Sequence, residues 1–251
     1  MDVAERIALG AVDAERKRRE RVVGAEVLEL DGYVLAFSNQ PDPALNGAIV
    51  ERAPRDAVGS LRLVESESVR RGFPLGVHLQ AGRHAAVDRA VRSLGLSIKL
   101  TRPAMACDLH DLADAQTPPG VEIRPVITDA DVEGLVAVGV ASFEDDPEVG
   151  KAVYGAGARG VEGVQAFLAW RGDEPVGIST GYLVRGAVSV MGVAVVPEAR
   201  RSGIGAALTL RAARAFPGAD LAWLHPSEMA RSMYESLGFA PISDWEVWVR
   251  P

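Results

Sequence analysis

The chain has 251 residues, 48% of them hydrophobic and 24% charged, which suits one large soluble domain or two of ordinary size, with a substantial core. Its net charge of −7 argues against non-specific nucleic-acid binding, which needs Lys and Arg to neutralise phosphates, and suits a cationic partner such as an amine. The single cysteine, Cys107, excludes an internal disulfide and the four scattered histidines give no metal-ligand spacing; no apolar run is as long as a membrane span, and the start M-D-V-A-E-R lacks the apolar core of a signal peptide.

Residues 2–22 read as a helix with Val3, Ile7, Ala8, Val12 and Ala14 on one face. Its basic end, Lys17 to Arg21, suits the negative end of the helix dipole as a solvated last turn. Strands at 27–30 and 33–37 flank Asp31-Gly32, a preferred pair for a two-residue hairpin. A short strand at 48–50 ends before Pro54, and a helix follows to Arg71. A strand at 75–79 leads to a helix at 84–94, closed by Gly95 in the usual C-terminal position, and residues 96–110 look extended. Asp111 to Gly120, ending T-P-P-G, reads as a linker. Beyond it come a strand at 121–126 and a helix capped by Thr128, with Val132, Leu135, Val136, Gly139 and Phe143 as its apolar residues. The acidic run E-D-D-P-E at 144–148 precedes a loosely helical, Gly-rich segment to Gly160. Strands at 164–170 and 176–184 flank an R-G-D-E-P turn as a second hairpin.

The next stretch, Met191 to Leu208, reads M-G-V-A-V-V-P-E-A-R-R-S-G-I-G-A-A-L. Val193 to Val196 have the composition of a buried strand, and Pro197 stops it. Two arginines and two glycines then open a helix that runs to Phe216. Glycines at a helix start let a ligand reach bare backbone, and the unpaired amides of the first turn point at an anion with the dipole behind them. This describes a pyrophosphate cradle. It is not the dinucleotide fingerprint, because Leu208 stands at the third glycine position and six residues separate Val196 from Gly203. Nor is it a phosphate-binding NTPase loop, since there is no Gly-Lys-Ser/Thr ending. A strand at 221–224, a helix at 227–237 stopped by Gly238 and a last strand at 245–249 complete the chain.

The two halves match without a gap at an offset of 143 residues, which carries Val50 onto Val193, Pro54 onto Pro197 and Arg71 onto Arg214. The same offset carries Phe73-Pro74 onto Phe216-Pro217, Ser93-Leu94-Gly95 onto Ser236-Leu237-Gly238, and Asp31-Gly32 onto Glu174-Pro175. An internal duplication explains this. Opposite Arg200, Arg201, Gly203 and Gly205 stand Ala57, Val58, Ser60 and Arg62, and opposite Tyr234 stands Val91. The first copy keeps the framework and lacks the cradle.

Two motifs carry a resemblance to a known family. Arg200-Arg201-Ser202-Gly203-Ile204-Gly205 resembles the Arg/Gln-x-x-Gly-x-Gly/Ala signature of the GNAT superfamily of N-acetyltransferases. Ala230 to Phe239 resembles its later A-x-x-x-Tyr-E-x-x-Gly-Phe signature. The match covers residues 121 to 250, and the whole chain resembles tandem members with a degenerate first domain. The resemblance implies an α+β fold of two GNAT-like domains, each a mixed, mostly antiparallel sheet flanked by helices: residues 1–110, a linker at 111–120, and a catalytic domain at 121–251. It implies acetyl-CoA as co-substrate. Val193, Ala194 and Val195 would pair with the pantetheine arm like an added strand. Arg200, Arg201, Ser202, Gly203, Ile204, Gly205 and Ala206 would hold the pyrophosphate. Ser227 stands where the family often has Asn, as a capping substitute. Tyr234 is the implied proton donor to the leaving thiolate. The strand position where many members carry a Glu base is Ala222, so the base candidates are Glu144, Asp145 and His225. Trp223, Phe143 and Trp245 are candidates to shape the acceptor pocket. The expected protein is a cytoplasmic N-acetyltransferase, a homodimer or a pseudo-dimer of its halves, acting on a small-molecule or peptide amine without metal, nucleic acid or membrane. A non-catalytic acyl-CoA sensor, and acylation of a thiol-sugar precursor, are the alternatives.

Overall fold

A computed structural model of the chain describes every residue except 21, 23, 39–45, 74–75, 144–145 and 156. In order its elements are α1 (Val3–Arg19), β1 (Glu26–Leu30), β2 (Tyr33–Phe37), β3 (Gly47–Val50), α2 (Ala57–Arg71), β4 (Gly76–Gln80), α3 (Ala85–Ser93) and β5 (Ser97–Asp108). There follow β6 (Val121–Pro125), α4 (Asp129–Phe143), α5 (Pro147–Gly150), a π-helical turn (Lys151–Gly155), β7 (Val164–Arg171), β8 (Glu174–Val184) and β9 (Ala187–Val195). The rest is a 3-10 turn (Pro197–Ala199), α6 (Ile204–Ala213), β10 (Leu221–Leu224), a second 3-10 turn (Glu228–Ala230), α7 (Arg231–Ser236) and β11 (Ala240–Val249). The fold is α+β, with mixed strand pairing and flanking helices. Leu75 and the residues at 144 and 145, read above as strand and acidic loop, lie outside the described residues.

The elements group into two units, one of residues 1–19, 24–104 and 241–251, the other of 20–23 and 105–240. In the first, strands lie in the order β1-β2-β3-β4-β11. β3 and β4 are parallel and the other pairs antiparallel. Alternate residues Tyr33, Leu35 and Phe37 of β2 face a core shared with Leu61 and Val64 of α2 and Val87 and Val91 of α3, the period of two meeting the helical period. Their neighbours Val34 and Ala36 are buried as well, and α1 packs on β2.

The last strand falls in this first unit, where the sequence put it with residues 121–251. Trp245 to Trp248 pair with Val77 to Gln80 of β4. Trp248 joins the first core, with the Arg92 guanidinium 4.7 Å from its ring centre, and Arg250 donates to Glu65 at 2.9 Å. A strand's partner depends on backbone edges and side-chain sockets far away in sequence, which a local pattern does not encode. The break also comes earlier than the linker at 111–120: Met105 to Asp108 of β5 pair with β10 in the second unit.

In the second unit the order is β5-β10-β9-β8-β7-β6, with β5 contributing only Met105 to Asp108. β9 and β10 are parallel, the others antiparallel. α6 covers one face, with Ile204 and Leu208 against Phe167, Val176, Val188 and Val190. α4 covers the other, with Leu135 and Val138 against Ala166, Leu168, Ile178 and Ala194. Leu208 is fully buried, and burial of such a side chain contributes about 1.5–3 kcal/mol. Thr128 caps α4 as expected, in a reciprocal box: Asp131 N donates to Thr128 Oγ1 at 3.1 Å and Thr128 N to Asp131 Oδ2 at 2.8 Å. The β7–β8 turn is only Gly172-Asp173, because Arg171 and Glu174 pair. Pro175, which cannot donate to a ladder, sits opposite Trp170, where the register shifts.

Candidate functional site

The site begins where β9 and β10 part. Their parallel pairs are Leu221–Ala187, Ala222–Val188 and Trp223–Ser189, while β9 runs on to Val195. On its other side β9 still pairs with β8, across a bulge between Ile178 and Thr180 where Gly192 has φ +62°, the left-handed residue that such a bulge favours. Val196 N donates to Val176 O at 3.0 Å. In an antiparallel ladder, hydrogen-bonded and non-bonded pairs alternate. The Val195–Gly177 pair is therefore non-bonded, and the Val195 amide and carbonyl face the gap.

At the end of β9 the chain turns through Pro197–Ala199 into a loop that presents α6. Arg201 has φ +59°, uncommon for a residue with a side chain, and Gly203, the N-cap, has φ +85° and no side-chain cap. The first intrahelical bond at this end runs from Ala207 N to Gly203 O, at 3.1 Å. By helix geometry the Ile204, Gly205 and Ala206 amides have no acceptor within the helix. Gly205 is packed for a second reason: a Cβ there would lie 3.3 Å from Met233 Sδ of α7 and 3.9 Å from Val195 Cγ2. Ser202 Oγ donates to Ala199 O at 2.6 Å and ties the loop to the preceding turn. Arg200 turns its guanidinium onto two carbonyls, Val195 O (from Nε, 3.0 Å) and Ser142 O of α4 (from Nη2, 3.2 Å).

Tyr234, on α7, is buried with its ring edge-on to Phe239. Burial pushes its phenol up to about 12, against an opposing pull from its hydrogen bond with Thr209. Thr209 Oγ1 donates in turn to Gly205 O at 2.8 Å. Tyr234 thus stays protonated near neutral pH, one helical turn from the open end of α6. On the α4 side, Phe143 is 49% exposed and stacks on Tyr154 of the π-helical turn, ring centres 5.7 Å apart. The Tyr154 ring lies directly over Gly139 and leaves no room there for a Cβ.

Residues 162–241 match the family described as Acetyltransferase (GNAT) domain, and both motifs read above fall in that span. That segment is similar to a GNAT domain. A mycothiol acetyltransferase of Pseudarthrobacter chlorophenolicus is 31% identical over 176 residues, 59% of this chain and 50% of that protein; the chain thus spans about half the length of this curated relative. Among solved structures, a GCN5-related N-acetyltransferase from Kribbella flavida aligns with 100% of this chain and 96% of its own, with TM-score 0.80 and 23% identity. A tandem GNAT protein from the clavulanic acid biosynthesis pathway aligns with 86% of this chain and 77% of its own, with TM-score 0.58 and 18% identity. These two likenesses are of fold.

Within the matched segment the structure brings Val193 to Val195, Arg200 to Ala206 and Tyr234 into one neighbourhood around the β9 end and the α6 start. Ser227 differs from its expected role: it precedes a 3-10 turn and its side chain makes no cap bond. His225 follows β10, edge-on to Trp223 with ring centres 5.7 Å apart. Glu144 and Asp145 lie outside the described residues. Trp245, expected near the acceptor, is placed in the first unit, opposite Gln80. Ala222 is fully buried, so that strand offers no carboxylate at its position. Trp223 and Ser189 are strand partners on one face, both buried, and Trp223 Nε1 and Ser189 Oγ have no hydrogen-bond partner. Thr209, Ser142 and Tyr154 were not visible as site residues in the sequence, where nothing marks a helix position as the partner of a distant loop. Among the described residues no group of His, Cys, Asp or Glu is placed to hold a metal, and no helix is long and apolar enough to cross a membrane.

Proposed function

We propose that the second unit binds acetyl-CoA and transfers its acetyl group to a primary amine. The observation that carries this reading is the adjacency of two backbone surfaces that keep hydrogen-bonding capacity for a ligand. Val195 turns an amide and a carbonyl into the β9–β10 gap, and the bare amides of α6 begin just beyond it. A pantetheine arm carries amides that can pair with the first, and a pyrophosphate suits the second. In the transfer, the amine nitrogen bonds to the thioester carbonyl carbon and the C–S bond breaks. A base takes the amine proton, and the departing sulfur takes a proton or hydrogen bond from Tyr234. His225 and Glu144 are the base candidates. Amides at the gap would suit the charge that develops on the carbonyl oxygen.

The first unit, on this reading, is a degenerate GNAT-like copy without a coenzyme site. Its β2-β3-α2-β4-α3 series follows the same order as β8-β9-α6-β10-α7, with β3–β4 and β9–β10 as the corresponding parallel pairs. The relative named for mycothiol makes an amine acceptor related to that metabolite the first to screen. The sensor alternative draws on buried Ala222, where a strand carboxylate is absent.

The test is calorimetric titration with acetyl-CoA of the wild type and of Gly203→Glu/Gly205→Glu. One site per chain in the wild type and none in the double variant is the expected result. A wild type that does not bind sinks the enzyme reading, and a second site of similar affinity sinks the degenerate-copy reading.

A further inference from the structure

Arg200 opens the cradle motif, yet its guanidinium is held by carbonyls. Nε donates to Val195 O and Nη2 to Ser142 O. The first is the carbonyl that faces the β9–β10 gap. The second belongs to the last turn of α4, one residue before Phe143, whose half-exposed ring is stacked on Tyr154. One planar fork therefore spans from the strand expected to hold the thioester arm to the aromatic pair on the α4 side. A guanidinium does this with donors in a fixed plane, which the point charge of a lysine does not reproduce. Val195 O has two lone pairs, so accepting from Arg200 leaves one for a ligand amide.

We propose that Arg200 is a positioning residue for the transfer and not a pyrophosphate ligand. It fixes the Phe143–Tyr154 pair at a set distance from the gap edge of β9, and so fixes one wall of the acceptor site against the reacting carbonyl. The proposal rests on the reading of the gap as the acetyl-CoA site. Its consequence is a separation of effects: loss of Arg200 loosens the acceptor wall and leaves coenzyme affinity nearly intact.

The experiment compares wild type, Arg200→Met and Arg200→Lys by hydrogen exchange and by acetyl-CoA calorimetry. Amide exchange over residues 140–143 is expected to rise about tenfold in both variants, with α6 unchanged, because the lysine keeps the charge and loses the fork. The acetyl-CoA dissociation constant is expected to stay within about threefold in Arg200→Met. A tenfold weakening of acetyl-CoA binding by Met, restored by Lys, would make Arg200 a charge partner of the pyrophosphate and overturn the proposal. So would unchanged exchange at 140–143. A wild type that fails to bind acetyl-CoA overturns the underlying functional reading instead, and the exchange arm, run on the ligand-free protein, separates the two failures. Once an acceptor turns over, Arg200→Met is expected to raise its KM about tenfold while the KM for acetyl-CoA stays within threefold.

Discussion

β3 of the first unit and β9 of the second each lead through a proline into a helix, and the two helix starts differ in one respect. In the first unit α2 is capped by Asp56, whose carboxylate accepts from Gly59 N at 2.9 Å; Gly59 lies so close to that carboxyl that a Cβ would not fit. In the second, α6 starts at Gly203, which has no side chain to offer. Both ends have the same orphan amides and the same positive dipole end. The first satisfies them with an anion of its own, and the second has no side-chain cap. On the proposed reading, the α6 start is a binding seat because the chain withholds its own cap there.

The sharpest way to break this contrast is to give the second helix the cap of the first. Gly203→Asp places a carboxylate at the open amides, in a left-handed position that Asp tolerates better than most residues. Acetyl-CoA affinity is expected to fall about a hundredfold or more by calorimetry; a change under threefold would mean that the α6 amides are not the seat. Next in size is Tyr234→Phe, which removes one hydroxyl and keeps the buried ring. If Tyr234 donates to the leaving sulfur, kcat falls by about a hundredfold, within the usual range for a positioned acid, and the KM for acetyl-CoA holds; an unchanged kcat assigns that proton elsewhere.

The same variant has a signature in alkali. The folded-state pKa of Tyr234, about 12, is raised above its ordinary value of 10.0, so the native state holds the proton more tightly than the unfolded chain. The corresponding stability is fully present below about pH 10 and is lost as pH rises toward 12. Tyr33 of the first unit is shifted upward by burial as well, with the Asp31 charge adding to it. Urea midpoints measured from pH 9 to 11 should therefore fall less steeply in Tyr234→Phe than in the wild type, without becoming flat. The smallest effect is expected from Asp56→Ala. It removes the first unit's cap at a cost of about 1 kcal/mol, read as a drop of a few degrees in Tm, and creates no second acetyl-CoA site because the loop before α2 lacks the glycines of the cradle.

Legibility in the sequence followed the range of the forces involved. β10 was read at 221–224 as observed, because a short apolar run bounded by turn residues is a local signal. Gly95, read as closing its helix, has the left-handed φ that such ends use. The open amides of α6 were legible for the same reason, since Gly203 and Gly205 follow a proline-stopped strand. Three features were not. Ser227 makes no cap bond, because a 3-10 turn intervenes before α7. The bond between Tyr234 and Thr209 joins helices 25 residues apart in sequence, with no periodicity to announce it. The placement of β11 depends on the edge of β4 and on a socket for Trp248, both formed by residues more than 150 positions earlier. Such long-range choices are fixed by packing, which a single sequence does not display.

That placement of β11 also sets a timetable. A ribosome releases the chain from its first residue onward, and domains that are contiguous in sequence finish folding in that order. Here the order is inverted. The second unit has all its residues once position 240 has emerged, whereas the first must wait for 241–251 before β4 gains its partner and Trp248 its pocket. The segment made earliest is thus the last to be completed, and during synthesis β4 carries an unpaired, buried-type edge that makes this unit the one exposed to misassociation in a stalled or shortened chain.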